Sequence, residues 1–129
     1  MKFSLKRMAS VILVVTLLSS VGVMAYRQTF YPPKQGSGRV IESQIADGYF
    51  TPYVFPTVNT EVETVYVLTA SSSYVYSNFA TSLVATKKAG RFDLVYNSGY
   101  GGAGTRVWLQ ACPYDNDFSA YTVSGTWGA

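Results

Sequence analysis

The sequence predicts an antiparallel β-sandwich, or a small barrel, preceded by a signal peptide. Three observations predict it. The chain is rich in residues that suit a pleated, half-buried surface, with 11 Tyr and 7 Phe among 129 residues. Several segments alternate apolar and polar side chains, and beyond the first 25 residues none carries the period of an amphipathic helix. Clusters of Gly, Pro, Ser, Asn and Asp separate these segments at short intervals, as turns between strands do.

The start of the chain, MKFSLKRMASVILVVTLLSSVGVMA, has the layout of an export signal. Lys2, Lys6 and Arg7 form a positive n-region, Val11 to Leu18 form the apolar core, and Gly22 interrupts it. Val23-Met24-Ala25 then sets suitable residues at the two positions a signal peptidase reads. Cleavage after Ala25 is expected, giving a secreted protein. The alternative is an uncleaved N-terminal membrane anchor, because Met8 to Ala25 is just long enough to span a bilayer. The formal charge of +3 belongs to this segment, since beyond Ala25 seven Lys and Arg face seven Asp and Glu. A neutral domain gives no electrostatic case for nucleic acid, nor for membrane after cleavage.

Residues 26–39, YRQTFYPPKQGSGR, read as a flexible lead-in: Pro32-Pro33 cannot join a central strand and Gln35 to Gly38 is linker-like. Residues 40–129 read as one sandwich domain. Tyr49 to Phe55 is expected as a strand at a sheet edge, because it contains Pro52. In EVETVYVLTA (61–70), Val62, Thr64, Tyr66 and Leu68 share one face and Glu61, Glu63, Val65 and Val67 the other. YVYSNFATSLVAT (74–86) is one long strand or two short ones broken near Ser77-Asn78. RFDLVYN (91–97) turns Phe92, Leu94 and Tyr96 one way. TRVWLQAC (105–112) turns Val107, Leu109 and Ala111 inward and leaves Arg106, Trp108 and Gln110 on the wet face. SAYTVSGTW (119–127) is the last strand, with a bulge expected at Gly125.

Between RFDLVYN and TRVWLQAC lies GYGGAG (99–104), which spells the dinucleotide-binding pattern Gly-x-Gly-x-x-Gly. That site needs a helix opening on the glycines, whose N-terminus binds the pyrophosphate. Thr105 to Leu109 alternates like a strand instead, and Pro113 closes it. No nucleotide is therefore expected. Ser98 to Gly104 reads as a hairpin loop, with Tyr100 as its one large side chain, either a contact residue at the tip or a cap over the hairpin end.

Little in the chain looks catalytic. It has no histidine, which removes the commonest general base and the commonest zinc ligand. Cys112 is the only cysteine, so it is a free thiol, tucked under a strand end or bridging two chains. Glu61 and Glu63, about 7 Å apart on one strand face, are the one carboxylate pair spaced for hydrolysis, although two glutamates on a solvent face are the commoner case. Asp115-Asn116-Asp117 lacks the glycine and distal glutamate of a calcium loop and reads as a turn. No metal and no cofactor are expected, and the protein reads as a non-enzyme.

The aromatic side chains from Tyr49 to Trp127 cannot all be buried in so small a domain. Exposed Tyr and Trp give rigid contact area with a polar tip, suited to a sugar ring or a protein partner. Tyr100, Trp108 and Tyr114 are the candidate ligand-binding residues. The segment LVYNSGYGGAGTRVWLQA followed by YTVSGTW resembles small, uncharacterised secreted all-β proteins of Gram-positive bacteria and, more distantly, lactococcin-972-like bacteriocins. The export signal, the exposed Tyr and Trp and the hairpin loop point to an exported binding protein acting at or outside the cell envelope, on an envelope glycan or a surface protein. A bacteriocin-like competition factor is one form of this and a cell-wall carbohydrate-binding module another. A long β edge leaves self-association open.

Overall fold

The structure, a computed structural model, describes residues 23–32, 39–48 and 51–129. It is all-β: two four-stranded antiparallel sheets pack face to face as a β-sandwich. The strands are β1 (Val23–Phe30), β2 (Arg39–Ile45), β3 (Tyr53–Pro56), β4 (Thr64–Thr69), β5 (Val84–Thr86), β6 (Phe92–Asp93), β7 (Arg106–Pro113) and β8 (Tyr121–Gly128). One sheet has the order β1-β8-β3-β6 and the other β2-β7-β4-β5. The expected signal peptide lies outside the described residues except for Val23 to Ala25. Among the described residues no helix is long and apolar enough to cross a membrane.

The alternation read from the sequence sorts the side chains correctly in three segments. Tyr66 and Leu68 of β4, Val107, Leu109 and Ala111 of β7, and Leu94 are buried in the core, and Phe92 and Tyr96 pack against it. The two sheets are joined through the middle by polar tips on aromatic bodies. The Tyr26 hydroxyl of β1 donates to the Tyr66 hydroxyl of β4 (3.4 Å), and their rings meet edge to face with centroids 5.9 Å apart. The hydroxyls of Thr64 and Tyr121 bond across the same gap at 2.9 Å.

These phenols give the fold an alkaline limit. Burial pushes Tyr26, Tyr96 and Tyr121 up to about 12, with the negative charge of Asp47 adding to the effect on Tyr96. Burial raises Tyr66 as well. In the unfolded chain tyrosine ionises near its ordinary value of 10.0. Between these values the unfolded state has fewer bound protons than the fold, so stability falls as pH rises. Stability to urea is expected to be flat approaching pH 10 and to drop steeply from there toward 12. Tyrosinate absorbance is expected to rise in step with unfolding rather than before it.

Six expectations are corrected, the first being Gln110, expected on the wet face but fully buried beneath the segment after β4. Residues 26–30, read as part of a lead-in, form most of β1, and Tyr26 and Phe30 are buried because that strand covers one flank of the core. β3, expected at an edge, is an inner strand between β8 and β6. The strand is only four residues long, so neither nearby proline interrupts a long ladder: Pro52 precedes it and its carbonyl accepts from Leu94, while Pro56 ends it and accepts from Gly90. No bulge occurs at Gly125, which keeps regular register with Tyr26 on one side and Pro56 on the other. Glu61 and Glu63 precede β4 rather than lying on it. The loop through GYGGAG is not a hairpin, because β6 and β7 belong to different sheets.

The chain changes sheets between these two strands. Phe92 and Asp93 pair with β3, where the Arg91 guanidinium stacks 4.2 Å over Tyr53 and pairs with Asp93 (2.8 Å). By Tyr96 the backbone has moved across to bridge with Thr81, beside β4. The glycine loop then folds against Tyr96. A Cβ at Gly101, where φ is +82°, would lie 2.4 Å from the Tyr96 ring, so glycine is required both for the turn and for the contact. The loop is fastened at its end to the turn after β2, with Gly104 donating to the Ala46 carbonyl and Ala46 to that of Thr105.

The outer face of the β2-β7-β4-β5 sheet is partly covered by the segment after β4. The buried Gln110 amide donates to the Thr69 hydroxyl (3.1 Å) and to the Ser72 carbonyl (3.2 Å), and Thr69 donates to Ser71 (2.6 Å). Cys112 is buried on this face beneath Tyr74, its thiol 3.8 Å from the phenol oxygen.

Candidate functional site

A cleft of about 450 Å³ lies beside that cover. One wall is a single turn of 3-10 helix, Tyr76–Asn78, where the sequence reading places a strand break. The turn is closed by Phe79 N–H donating to the Tyr76 carbonyl and is pinned from behind by the Asn78 amide donating to the Ser71 hydroxyl (2.6 Å). This geometry throws the Tyr76 side chain outward, where it is 87 % exposed, the most exposed of the large apolar side chains among the described residues. Its ring rests against Phe79, centroids 5.4 Å apart, and Phe79 in turn packs on Tyr74.

The opposite wall is Asn97 and Tyr100, brought there by the sheet change and the glycine loop. Asn97 donates to the carbonyls of Phe79 and Thr81, which fixes the width of the floor. The Tyr100 hydroxyl reaches across to the Ser77 carbonyl (3.4 Å), and the side chain keeps 39 % of its surface exposed. Ser82 and Leu83 close one end. The Ser82 hydroxyl accepts from Val95 N–H and retains its own proton to donate.

The lining holds no Asp, Glu, Lys, Arg or Cys. It is a neutral trough of two exposed tyrosines, an aliphatic end and several hydroxyls. Such a surface binds by ring contact and neutral hydrogen bonds, and offers no charge for an ionic ligand. Among the described residues no group of three acidic, Cys or His side chains is placed to hold a metal ion.

The sequence candidates are not brought together. Tyr100 lies in the cleft. Trp108 sits half-buried on the outer face, opposite Ser43 of β2 and Thr69 of β4, so β4 separates it from the Phe79 floor. Tyr114 is 58 % exposed just past the end of β7, six residues beyond Trp108 and about 20 Å along the strand. Cys112 is buried between them. Asp115 to Asp117 form an exposed turn. Tyr76, the side chain that dominates the cleft, was legible only as one aromatic among many, because alternation in YVYSNF places it in a strand and hides the turn that exposes it.

No family model matches the chain, and no curated protein or solved structure does either.

Proposed function

We propose that this is an exported, non-catalytic binding protein that acts at or outside the cell envelope, and that the Tyr76–Tyr100 cleft holds its ligand. The observation that carries the reading is the 87 % exposure of Tyr76, which faces Tyr100 across a trough with no charged lining. An aromatic ring that gains nothing for folding by standing in water has a use when a ligand covers it. Of the two forms of envelope binder, the cleft favours the carbohydrate-binding module. A sugar ring offers an apolar face to stack on tyrosine and hydroxyls at its rim to meet Ser77, Ser82 and Asn97. The absence of any carboxylate in the lining also weighs against glycoside hydrolysis there.

The test is co-sedimentation and calorimetry with purified cell-wall glycan. Tyr76→Ala and Tyr100→Ala are each expected to weaken binding at least about tenfold, roughly the loss of one desolvated stacking contact. Thermal unfolding should change little for Tyr76→Ala. Tyr76→Phe should retain most of the affinity, and Tyr114→Ala, distant from the cleft, all of it. Unchanged binding in both cleft variants would reject the site, and loss on Trp108→Ala alone would move it to the outer face.

A further inference from the structure

The expected cleavage point and the first strand occupy the same residues. In β1 the register with β8 sets Val23 opposite Gly128, Met24 opposite Trp127 and Ala25 opposite Thr126. Alternate side chains of a strand face opposite ways. Met24 packs against the core and Tyr26 is 4 % exposed, its hydroxyl bonded to Tyr66 in the opposite sheet. Val23 and Ala25, the two side chains a signal peptidase reads, lie on the outward face. The recognition side chains are therefore presented while the bond that would be cut, Ala25–Tyr26, is held in the sheet. A peptidase takes its substrate extended in its own cleft on both sides of that bond. It would have to peel β1 from β8 through the buried Tyr26, which is an opening of the core edge and not a fraying of the terminus.

We propose that pairing of β1 with β8 and cleavage after Ala25 exclude one another, so that the order of folding and processing decides whether the chain is released or stays tethered by its leader. This rests on the export reading of the first 25 residues and not on the cleft. In the cleavage step water adds across the Ala25–Tyr26 amide. The leader keeps a new carboxylate at Ala25, the domain gains an α-ammonium at Tyr26, and a signal peptidase is the catalyst. A chain cut before folding retains only Tyr26 to Phe30 of β1. Met24 is then missing from the core, and Thr126 to Gly128 have β3 as their one neighbour. A chain that folds first keeps all eight pairs and its leader.

The experiment uses the full-length chain in detergent with purified signal peptidase and follows the product mass. Two full-length variants, Gly125→Val and Trp127→Ala, loosen β8 while leaving the processing sequence intact. The wild-type chain is expected to be cut after Ala25 at least about tenfold more slowly than at least one of them. Cutting of the folded wild type as fast as both variants would overturn the proposal, as would the lack of any cut after Ala25 in all three chains. Either result would leave glycan binding at the cleft untouched.

Discussion

Gly125→Val is expected to lower stability by about 3 kcal/mol, the upper end of what overpacking costs. A Cβ at this position would lie 2.1 Å from the Phe55 carbonyl oxygen and 2.9 Å from the Tyr26 hydroxyl. The first of these is backbone in the adjacent strand and cannot swing aside. β8 is flanked on both sides, so relief of the clash on β3 presses on β1. For a domain of about 100 residues the loss corresponds to a fall in Tm of roughly 12–24 °C. Gly102→Ala is the control: it is a glycine without positive φ whose nearest neighbour would be a Thr105 methyl at 3.9 Å, and its effect should stay within about 0.5 kcal/mol. A Gly125→Val chain with an unchanged urea midpoint would mean that β3 and β8 are not paired as described.

Trp127→Ala is expected to cost about 3–5 kcal/mol, since the side chain is fully buried between the sheets. Trp127→Phe separates packing from hydrogen bonding. It fills most of the space but removes the indole N–H that donates to the Glu42 carboxylate. Burial raises the pKa of Glu42, and the bond from Trp127 opposes that rise. A raised carboxyl pKa means that the fold prefers the neutral acid. Stability is then greatest below the ordinary glutamate range and falls as pH rises through it toward the folded value. Without the indole donor the folded value moves higher still, so the phenylalanine variant is expected to lose stability more steeply than wild type between mildly acid and neutral pH. Adding Glu42→Gln should flatten that slope. Parallel pH profiles for wild type and Trp127→Phe would show that the carboxylate does not depend on the indole.

Much of the sandwich was legible because alternation is a direct image of burial. The inward positions of β4 and β7 recur at every second residue and are buried, and Phe92, Leu94 and Tyr96 share one face even though that segment changes sheets partway. Pairing between strands was less legible. The crossing falls between Asp93 and Tyr96, inside an alternating segment, so neither its alternation nor the glycine loop after it gave a sign that β6 and β7 part company. β1 was hidden by its neighbourhood: Val23 to Ala25 continue an apolar run, and an apolar run reads first as leader. Proline counted against β3 too strongly, because an inner strand of four residues can have one proline before it and another as its last residue at no cost in ladder bonds. Within the site, Tyr100 was found because a large ring in a glycine loop has nowhere to be buried locally. Tyr76 depends on a 3-10 turn that no capping residue or helical period announces.

The buried amide of Gln110 also bears on which fold is chosen among near neighbours. Sliding β4 by two residues along β7 would keep Tyr66 and Leu68 facing inward and Val65 and Val67 outward, so the division of oily from wet surface would be almost unchanged. In the native alignment Gln110 stands opposite Val67, one step from the Thr69 hydroxyl and within reach of the Ser72 carbonyl. A slipped chain would carry the amide away from both partners and still cover it, at a cost of about 1–3 kcal/mol for each orphaned group. This single glutamine acts as an indexing pin: it contributes little to how tightly the two strands adhere, and much to their adhering in one alignment.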